Sequence, residues 1–234
     1  MSIALTLVPT PIAEAIPLEA FACALLKAEC LLPDVAILVE EHKTARIRWI
    51  EWGLPREAIE RFQLLNEHTE ESKIQQIIHS MKSGMRFYLL SDTGLPAFCD
   101  PGQKLVNACH LAKLRVSSTP FPNSIALSLA LSGFSHHRFY FVGFLPANTE
   151  ERKRELEKLS KVSETLILMD TPYRMGTVLK DLAHSGLNKR MGFLAMDLNS
   201  KNEVLIRGRI SDLSSQATNF GKREFVLVLD QAAF

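Results

Sequence analysis

The sequence predicts an α/β protein with two domains. In the first half of the 234 residues, short apolar runs alternate with segments whose apolar residues recur at helical spacing. In the second half, three apolar runs follow one another without long helices between them, which indicates an antiparallel part of a mixed sheet. Between the halves, two prolines in residues 119–124 interrupt the alternation. The sequence therefore predicts domains at residues 1–119 and 120–234.

Five strands and four helices are expected in the first domain. The apolar runs that predict strands are residues 3–8, 35–39, 62–65, 85–90 and 114–118. The first helix has Pro17 near its start and an apolar face that includes Phe21. The other helices are expected at 45–52 and at 103–114, with one between them that begins at a cap formed by Thr69 and Ser72 and ends at about Lys82.

The second domain is expected to begin with a helix at 125–131 that Gly133 ends. The predicted strands are 137–142, 165–169, 191–196, 203–207 and 224–230, and the predicted helices are 150–160 and a segment that ends near Gly186. Alternation along a strand favours a core position for the aromatic run 139–141 over a base-stacking role. The basic residues 152–154 alternate with glutamates, which favours a solvated helix face.

Composition excludes several classes of protein. The apolar fraction of 47% and charged fraction of 23% are those of a soluble globular protein, and the apolar runs are too short to span a membrane. The formal net charge of +1 argues against a protein that coats nucleic acid non-specifically. The start of the chain lacks a basic segment and is interpreted as a strand.

The four cysteines include no Cys-x-x-Cys pair, which favours buried free thiols in a reducing cytoplasm. No group of histidines, cysteines or carboxylates has the spacing of metal ligands, so no metal is expected.

The stretch 89–102 is the strongest candidate for a ligand site. Ser, Asp, Gly and Pro follow one another too densely for a regular element, and the stretch joins an apolar strand to a helix. Ligands of open α/β sheets bind at this edge. Gly94 allows close approach of a ligand or of another backbone, and Asp92 places a carboxylate at the strand end. The alternative is an ordinary strand-to-helix turn.

Candidate catalytic residues lie after two predicted strands. Asp92 is the first choice for a carboxylate that accepts a proton, with an Asx-turn as the equally good alternative. Glu41 and His42 follow the second strand, and His42 can accept a proton. The alternative for His42 is a solvated loop histidine.

Candidate substrate-binding residues are mostly basic. Lys43 and Arg46 are suited to phosphate if the protein binds RNA, and otherwise belong to a solvated helix face. His68 lies after another predicted strand. Arg174 can hold a phosphate or a carboxylate, or form a salt bridge to Asp170 or Asp181.

Several motifs, in order along nearly the whole chain, resemble the tetrapyrrole methylase superfamily, and most closely its branch of 16S ribosomal RNA (cytidine 2′-O) ribose methyltransferases. The motifs lie at residues 7–12, 91–96, 100–102, 122–124, 130–134, 143–146 and 171–174. No Gly-x-Gly-x-x-Gly motif follows the first strand, where Pro9-Thr10-Pro11 stands instead.

The resemblance implies two α/β domains, an N-terminal parallel sheet with flanking helices and a C-terminal mixed sheet, with S-adenosylmethionine in the cleft between them. The residues that it implies for cofactor binding are Pro9, Ser91, Asp92, Gly94, Leu95, Pro96, Asn123, Ser124, Ile125, Met169, Asp170, Thr171, Ala195, Met196, Phe225 and Val226.

The resemblance further implies a cytoplasmic, homodimeric methyltransferase whose acceptor is a ribose 2′-hydroxyl of RNA. Four segments depart from the family's patterns: Phe121 replaces a glycine, Asp170 replaces a glutamate, residues 196–200 lack two basic residues, and residues 40–43 read Glu-Glu-His-Lys where the family has Glu-Asp-x-Arg. Two alternatives therefore stay open. One is a methylase of the same fold that acts on a small molecule or a tetrapyrrole, and the other is a non-catalytic RNA- or ribosome-binding protein.

Overall fold

The computed structural model describes residues 3–13, 16–68, 70–121, 123–216 and 219–232, without the side chains of residues 70 and 72. The chain divides into two compact units, Met1–Phe121 and Pro122–Phe234. The division lies two residues beyond the domain boundary expected from the sequence. The predicted helix cap at Thr69 and Ser72 lies outside the described residues and side chains.

The first unit is a parallel sheet with helices. Its strands are β1 (Leu5–Val8), β2 (Val35–Val39), β3 (Phe62–Leu64), β4 (Arg86–Leu90) and β5 (Val116–Ser118). Its helices are α1 (Ala20–Glu29), α2 (His42–Glu51), α3 (Glu70–Lys82) and α4 (Gln103–Leu111), and a 3-10 helix spans Arg56–Arg61. The strands pair in the order β3-β2-β4-β1-β5, all of them parallel.

Strand alternation gives this sheet two apolar faces. Val35, Ile37 and Val39 of β2 point into the core that α1 and α2 cover, which includes the buried Trp49. Ala36 and Leu38 point into the opposite core, which α3 and α4 cover. Parallel sheets need such cover on both sides, so the confirmed prediction of flanking helices follows from the unbroken apolar strands.

The second unit contains a mixed sheet, as predicted. Its strands are β6 (Phe139–Gly143), β7 (Thr165–Asp170), β8 (Met191–Met196), β9 (Val204–Arg209) and β10 (Phe225–Leu229). Its helices are α5 (Ser124–Ser132), α6 (Thr149–Leu159), α7 (Met175–Ala183) and α8 (Ile210–Gln216). The strand order is β6-β7-β10-β8-β9, in which β6 and β7 are parallel and the other pairs antiparallel.

Local capping explains where several helices begin. Asn148 Oδ1 accepts hydrogen bonds from the N–H groups of Glu150 and Glu151, so α6 begins at Thr149, one residue before the predicted start. Gly133 has φ +66° and ends α5 in the left-handed conformation. The Glu41 side chain caps α2, which therefore begins at His42, three residues before the predicted start. The short helix α8 was not predicted.

Three expectations about exposure are wrong. Phe21, assigned to the buried face of α1, is 57% exposed. Phe139 and Tyr140 are 48% and 51% exposed, because β6 is an edge strand of its sheet. Cys99 is exposed, whereas Cys30 and Cys109 are buried and all four cysteines are free.

The burial of Arg152, on α6, differs most clearly from the sequence prediction. The sequence favoured a solvated position, but the side chain is 6% exposed and its Nε donates to Asp181 Oδ2 at 2.6 Å. Its Nη1 also donates to the carbonyls of Pro146 and Ala147. Lys153, the next residue, is exposed as predicted. Among the described residues, no helix is long and apolar enough to cross a membrane.

Candidate functional site

The loop that follows β4 is attached to the end of β1 by a pair of backbone hydrogen bonds. The Thr10 N–H donates to the Gly94 carbonyl at 2.8 Å, and the Gly94 N–H donates to the Thr10 carbonyl at 3.2 Å. The Thr10 hydroxyl donates to the Ser91 carbonyl at 3.2 Å, and the Ser91 hydroxyl donates to the Gly94 carbonyl at 3.0 Å. These bonds hold the loop in one conformation at the carboxyl ends of two central strands.

The backbone conformation at position 94 explains why this residue is glycine. Its φ is +81°, a region that other residues rarely adopt, whereas a Cβ there would lie 3.8 Å from its nearest neighbour, Ile12 Cγ2. The backbone that approaches Gly94 is that of Thr10. Gly102, at the other end of the loop, has φ +120°, and a Cβ there would lie 2.5 Å from Leu89 Cδ2, so another residue would strain the backbone and displace this side chain.

An acidic cluster lies at this edge of the sheet and consists of Glu40, Asp92 and Asp100. The Asp92 N–H donates to Glu40 Oε2 at 3.3 Å, which joins the ends of β2 and β4. Burial, followed by the charges of Glu40 and Glu41, raises the pKa of Asp92 to about 6. The cluster is thus a place where negative charge is concentrated and poorly solvated.

The pKa of Asp100 is raised more than that of Asp92. Burial, followed by the charges of Glu40 and Asp92, raises its pKa to about 7, although a hydrogen bond from Ser91 opposes the change. Two carboxyl groups that titrate near neutral pH can hold a cation or accept a proton. Chemically, the site suits a positively charged ligand.

Glu41, a predicted catalytic residue, has a structural role in the fold. Its Oε1 accepts from the Lys43 N–H at 2.9 Å and its Oε2 from the Thr44 N–H at 2.6 Å. These bonds hold the pKa of the exposed Glu41 carboxyl below its ordinary value. Because a carboxylate stabilised in this way is a weak base, the geometry favours capping over proton transfer.

The predicted basic residues on α2 are exposed. His42, Lys43 and Arg46 line a shallow groove of about 590 Å³ together with the apolar side chains of Ile47, Ile50 and Ile59. The His42 ring stacks on Phe62, with 6.4 Å between ring centroids. Arg48, on the same helix, donates to the Pro11 carbonyl at 3.0 Å and so ties α2 to the turn after β1.

His68 lies apart from these residues. It is exposed in the turn after β3, where its N–H donates to Asn66 Oδ1 at 3.2 Å. It is not among the described residues that line either groove of the first unit. Its assignment as a substrate-binding residue stays a prediction.

In the second unit, Arg174 forms a salt bridge to Asp170, one of the two partners that the sequence suggested. Its Nη1 lies 3.2 Å from Asp170 Oδ2, and its Nη2 donates to the Pro146 carbonyl at 2.9 Å. Asp170 Oδ1 accepts from the Thr171 N–H at 2.8 Å. Asp170 and Arg174 therefore fix the turn after β7, and a further role in substrate binding stays a prediction.

The remaining predicted cofactor residues of the second unit share two rows of its sheet. Met169, Val226 and Ala195 are neighbours in one row, and Asp170, Phe225 and Met196 are neighbours in the next. The side chains of Phe225 and Met196 belong to the core of the unit. These two residues therefore do not present their side chains to a ligand.

The predicted group at 123–125 forms the start of α5. Asn123 Oδ1 accepts from the N–H groups of Ile125 and Ala126, so this side chain acts as a helix cap. Ser124 is half-buried and Ile125 is buried. In the first unit, Pro9, Ser91 and Pro96 are buried, and Asp92, Gly94 and Leu95 are half-buried.

Three site residues were missed from the sequence: Thr10, Glu40 and Asp100. Thr10 lies between two prolines and gave no signal of its pairing with Gly94, which is distant in sequence. Glu40 follows β2 directly, and Asp100 lies within the loop already singled out, so strand order combined with residue type could have identified both. Across the described ranges, no group of three or more His, Cys, Asp or Glu side chains is arranged to hold a metal ion.

Comparison with known proteins places these features in a family context. The family model of tetrapyrrole (corrin/porphyrin) methylases matches residues 26–214. A protein of Xylella fastidiosa (strain Temecula1 / ATCC 700964) named ribosomal RNA small subunit methyltransferase I is 31% identical over 211 residues, which are 88% of this chain and 76% of the relative. The protein of the same name from Bacillus subtilis (strain 168) is 36% identical over 166 residues, 70% of this chain and 56% of the relative.

Solved structures share the fold. The uroporphyrin-III C-methyltransferase of Thermus thermophilus, solved in complex with S-adenosyl homocysteine, superimposes with a TM-score of 0.58 at 15% identity. The match covers 97% of each chain. Diphthine synthase superimposes with a TM-score of 0.67 at 12% identity and covers 97% of this chain and 90% of its own.

Proposed function

Because the chain belongs to the tetrapyrrole (corrin/porphyrin) methylases and is, with them, a methyltransferase that uses S-adenosylmethionine, we propose that it methylates a ribose 2′-hydroxyl of small-subunit ribosomal RNA. The family match confirms the resemblance found from the motifs. The names of relatives that are 31% and 36% identical support the RNA acceptor. One structural observation carries the proposal: at the junction of β2 and α2, the acidic cluster lies next to an exposed cationic helix face.

The acidic cluster is suited to the cofactor. S-adenosylmethionine carries a positive sulfonium and an ammonium group, and it supplies the methyl group when it is bound. Burial together with mutual repulsion raises the pKa values of Asp92 and Asp100 to about 6 and about 7, and a nearby cation would relieve that repulsion. We propose that these carboxylates, with the backbone of residues 91–96 and of Pro9, hold the cofactor.

Methylation of a hydroxyl requires a group that removes its proton. As the oxygen–carbon bond forms, the carbon–sulfur bond breaks and the O–H bond must break too. Asp92 has a pKa of about 6, so it is mostly ionised at pH 7.5 and can accept this proton. We assign this role to Asp92, with His42 as the second candidate at the same edge of the sheet.

The exposed face of α2 supplies the contacts to RNA. Lys43 and Arg46 are exposed, and their ammonium and guanidinium groups are suited to phosphate oxygens. Ribosomal RNA as the acceptor implies that the protein works in the cytoplasm.

The test is methyl transfer to defined RNA. Purified protein, labelled S-adenosylmethionine and unmethylated 16S ribosomal RNA are expected to give label in ribose, and an RNA with a 2′-deoxy acceptor nucleotide is expected to give none. Asp92→Asn is expected to reduce kcat by about 10²-fold or more. Label in a base would contradict the assigned acceptor atom, and cofactor binding without transfer to RNA would favour the small-molecule enzyme.

A binding control distinguishes the non-catalytic alternative. Calorimetry is expected to show that the wild type binds S-adenosylmethionine and that Gly94→Trp does not, because a side chain at φ +81° strains the loop and adds bulk at the proposed site. RNA binding by a folded wild type that has no affinity for the cofactor would instead support the RNA- or ribosome-binding protein.

We further propose that the chain acts as a homodimer. The supporting observation is the edge strand β6, where Phe139 and Tyr140 present large aromatic surface to solvent. Light scattering is expected to give the mass of two chains for the wild type and of one chain for Phe139→Lys/Tyr140→Lys. A monomeric wild type would overturn this assignment and leave the methyl transfer untouched.

A further inference from the structure

A second groove of the first unit lies along the exposed edge of its sheet. We call it the β3 groove, because the edge strand β3 forms one wall. Its volume is about 460 Å³. Ile77 and Phe87, both 3% exposed, lie at its bottom, and the exposed His42 lines it as well. Phe62 also lines the groove, but its ring packs edge-on against Trp49 in the core on the other face of the sheet, with 5.1 Å between ring centroids.

The rim of the β3 groove is polar but mostly uncharged. Gln63 and Gln76 are exposed, and each amide offers both donors and an acceptor. Lys73 Nζ donates to the Leu64 carbonyl at 2.8 Å, which keeps this cation at the wall. No Asp or Glu is among the described residues that line the groove. An apolar floor with amides at its rim suits a flat, uncharged ring with hydrogen-bonding edges, as in a nucleobase.

The position of the groove connects it to the site. His42 lines the β3 groove and also the groove on α2 that contains Lys43 and Arg46. His42 follows Glu41, whose charge raises the pKa of Asp92. The two grooves therefore meet at His42, the first residue of α2.

We propose that the β3 groove binds an unpaired nucleobase of single-stranded RNA next to the acceptor nucleotide, while the phosphates lie along Lys43 and Arg46. This inference rests on the proposed function, and it extends that function to a subsite that selects unpaired RNA. Single-stranded RNA is recognised in this manner, by apolar stacking and by contacts to base edges.

Two adjacent glutamines on α3 provide a matched test. Gln75 and Gln76 are both exposed, but of the two only Gln76 lines the groove. Gln76→Trp fills the groove, and Gln75→Trp places the same side chain outside it. The probe is a fluorescent single-stranded fragment of small-subunit ribosomal RNA, measured by anisotropy, and S-adenosylmethionine affinity is measured by calorimetry.

Gln76→Trp is expected to weaken RNA binding by about tenfold or more, the loss of one stacked base, and to raise KM for RNA more than it lowers kcat. Gln75→Trp is expected to stay within about twofold of the wild type, and both variants are expected to keep their cofactor affinity. If the wild type binds and methylates RNA but the two variants bind RNA equally, the proposed nucleobase subsite in the β3 groove is contradicted. The proposed function is then unaffected.

An RNA with one abasic nucleotide beside the acceptor nucleotide allows a double-mutant cycle with Gln76→Trp. The wild type is expected to bind it about tenfold more weakly than the intact RNA, and Gln76→Trp is expected to bind both RNAs equally. Additive losses would overturn the subsite. A wild type that binds no RNA at all would overturn the proposed acceptor and the groove together.

Discussion

At the scale of single residues, the acidic cluster determines how the site responds to pH. Asp92 and Asp100 have pKa values of about 6 and about 7, both far above the ordinary value of 3.8. Burial is the first cause in each case, and carboxylates within the cluster are the second. Two consequences follow, one for ligand binding and one for stability.

Cofactor binding is expected to weaken as the pH falls from 8 to 5.5. A cationic ligand prefers ionised carboxylates, and Asp100 and then Asp92 take up protons over this range. Calorimetry at several pH values should show the decrease, and Asp100→Asn should flatten its upper part. Glu67→Gln, an exposed change in the same unit, serves as the control. An affinity independent of pH in the wild type would contradict a role for the cluster.

Stability is expected to have the opposite dependence. Because the folded state raises the pKa of Asp100 above the unfolded value, the folded protein binds this proton more tightly, and stability is lost as pH rises from about 4 through about 7. Asp100→Asn should therefore raise the melting temperature at pH 8 by on the order of 2–4 °C for each kcal/mol of relief. The gain should shrink at pH 5, and a gain of equal size at both pH values would contradict the titration.

At the scale of elements, capping and buried ion pairs define the ends and contacts of the helices. Glu41 caps α2, the helix that presents Lys43 and Arg46. Arg152 joins α6 to Asp181 of α7 and to the turn before α6. Each of these contacts gives a prediction with a matched control.

Glu41→Ala is expected to destabilise the protein by about 1 kcal/mol, the cost of a lost helix cap. We expect kcat to stay within about threefold of the wild type, since the pKa of this carboxyl is lowered and the group is held by the Lys43 and Thr44 N–H groups. Thermal melts and methyl-transfer assays measure the two effects. A loss of kcat by about 10²-fold with normal stability would instead show that Glu41 is a catalytic residue.

Arg152→Ala is expected to cost about 3 kcal/mol or more, because Asp181 loses its partner and two carbonyls lose their donor. Lys153→Ala, one residue along α6, removes an exposed ion pair and should stay within about 0.5 kcal/mol. Urea unfolding of both variants gives the comparison. Similar losses in the two variants would show that the burial of Arg152 has little energetic effect.

The same contacts explain how much of the fold the sequence could predict. Strands such as β2, β4 and β8 are buried on both faces, so their unbroken apolar runs identified them. Strand β6 has an equally apolar sequence, but its place at the edge of the sheet leaves Phe139 and Tyr140 exposed, and local alternation carries no information about edges. The burial of Arg152 likewise depends on Asp181, which is 29 residues away in sequence.

The candidate site was predictable in part for the same reason. Residues 91–96 were identified because Ser, Asp, Gly and Pro are concentrated there after an apolar strand. Thr10 and Glu40 belong to the site through pairing between distant segments, which a single sequence does not reveal. The pKa values of Asp92 and Asp100 arise from burial and mutual repulsion, and both require the folded arrangement.

At the scale of the whole molecule, a formal net charge of +1 gives little general attraction for RNA. Affinity must then depend on local contacts. The double variant Lys43→Ala/Arg46→Ala is expected to reduce the slope of log Kd against log salt by about 1.4, from about 0.7 for each phosphate contact with a single strand. Anisotropy titrations at several salt concentrations measure the slope, and an unchanged slope would remove α2 from the RNA-binding surface.

The strand order of the first unit also has a consequence for the order of events in folding. The first strand of the chain, β1, pairs with β4 and β5, and β4 separates it from β2. During synthesis, β1 leaves the ribosome early but has no partner until residues 86–90 follow. The hydrogen bonds between Thr10 and Gly94 join the chain beyond the ends of β1 and β4, so they too require residues that are synthesised late in the unit. The candidate site is therefore assembled late, and a nascent chain that pauses before residue 94 has an exposed strand and an incomplete site.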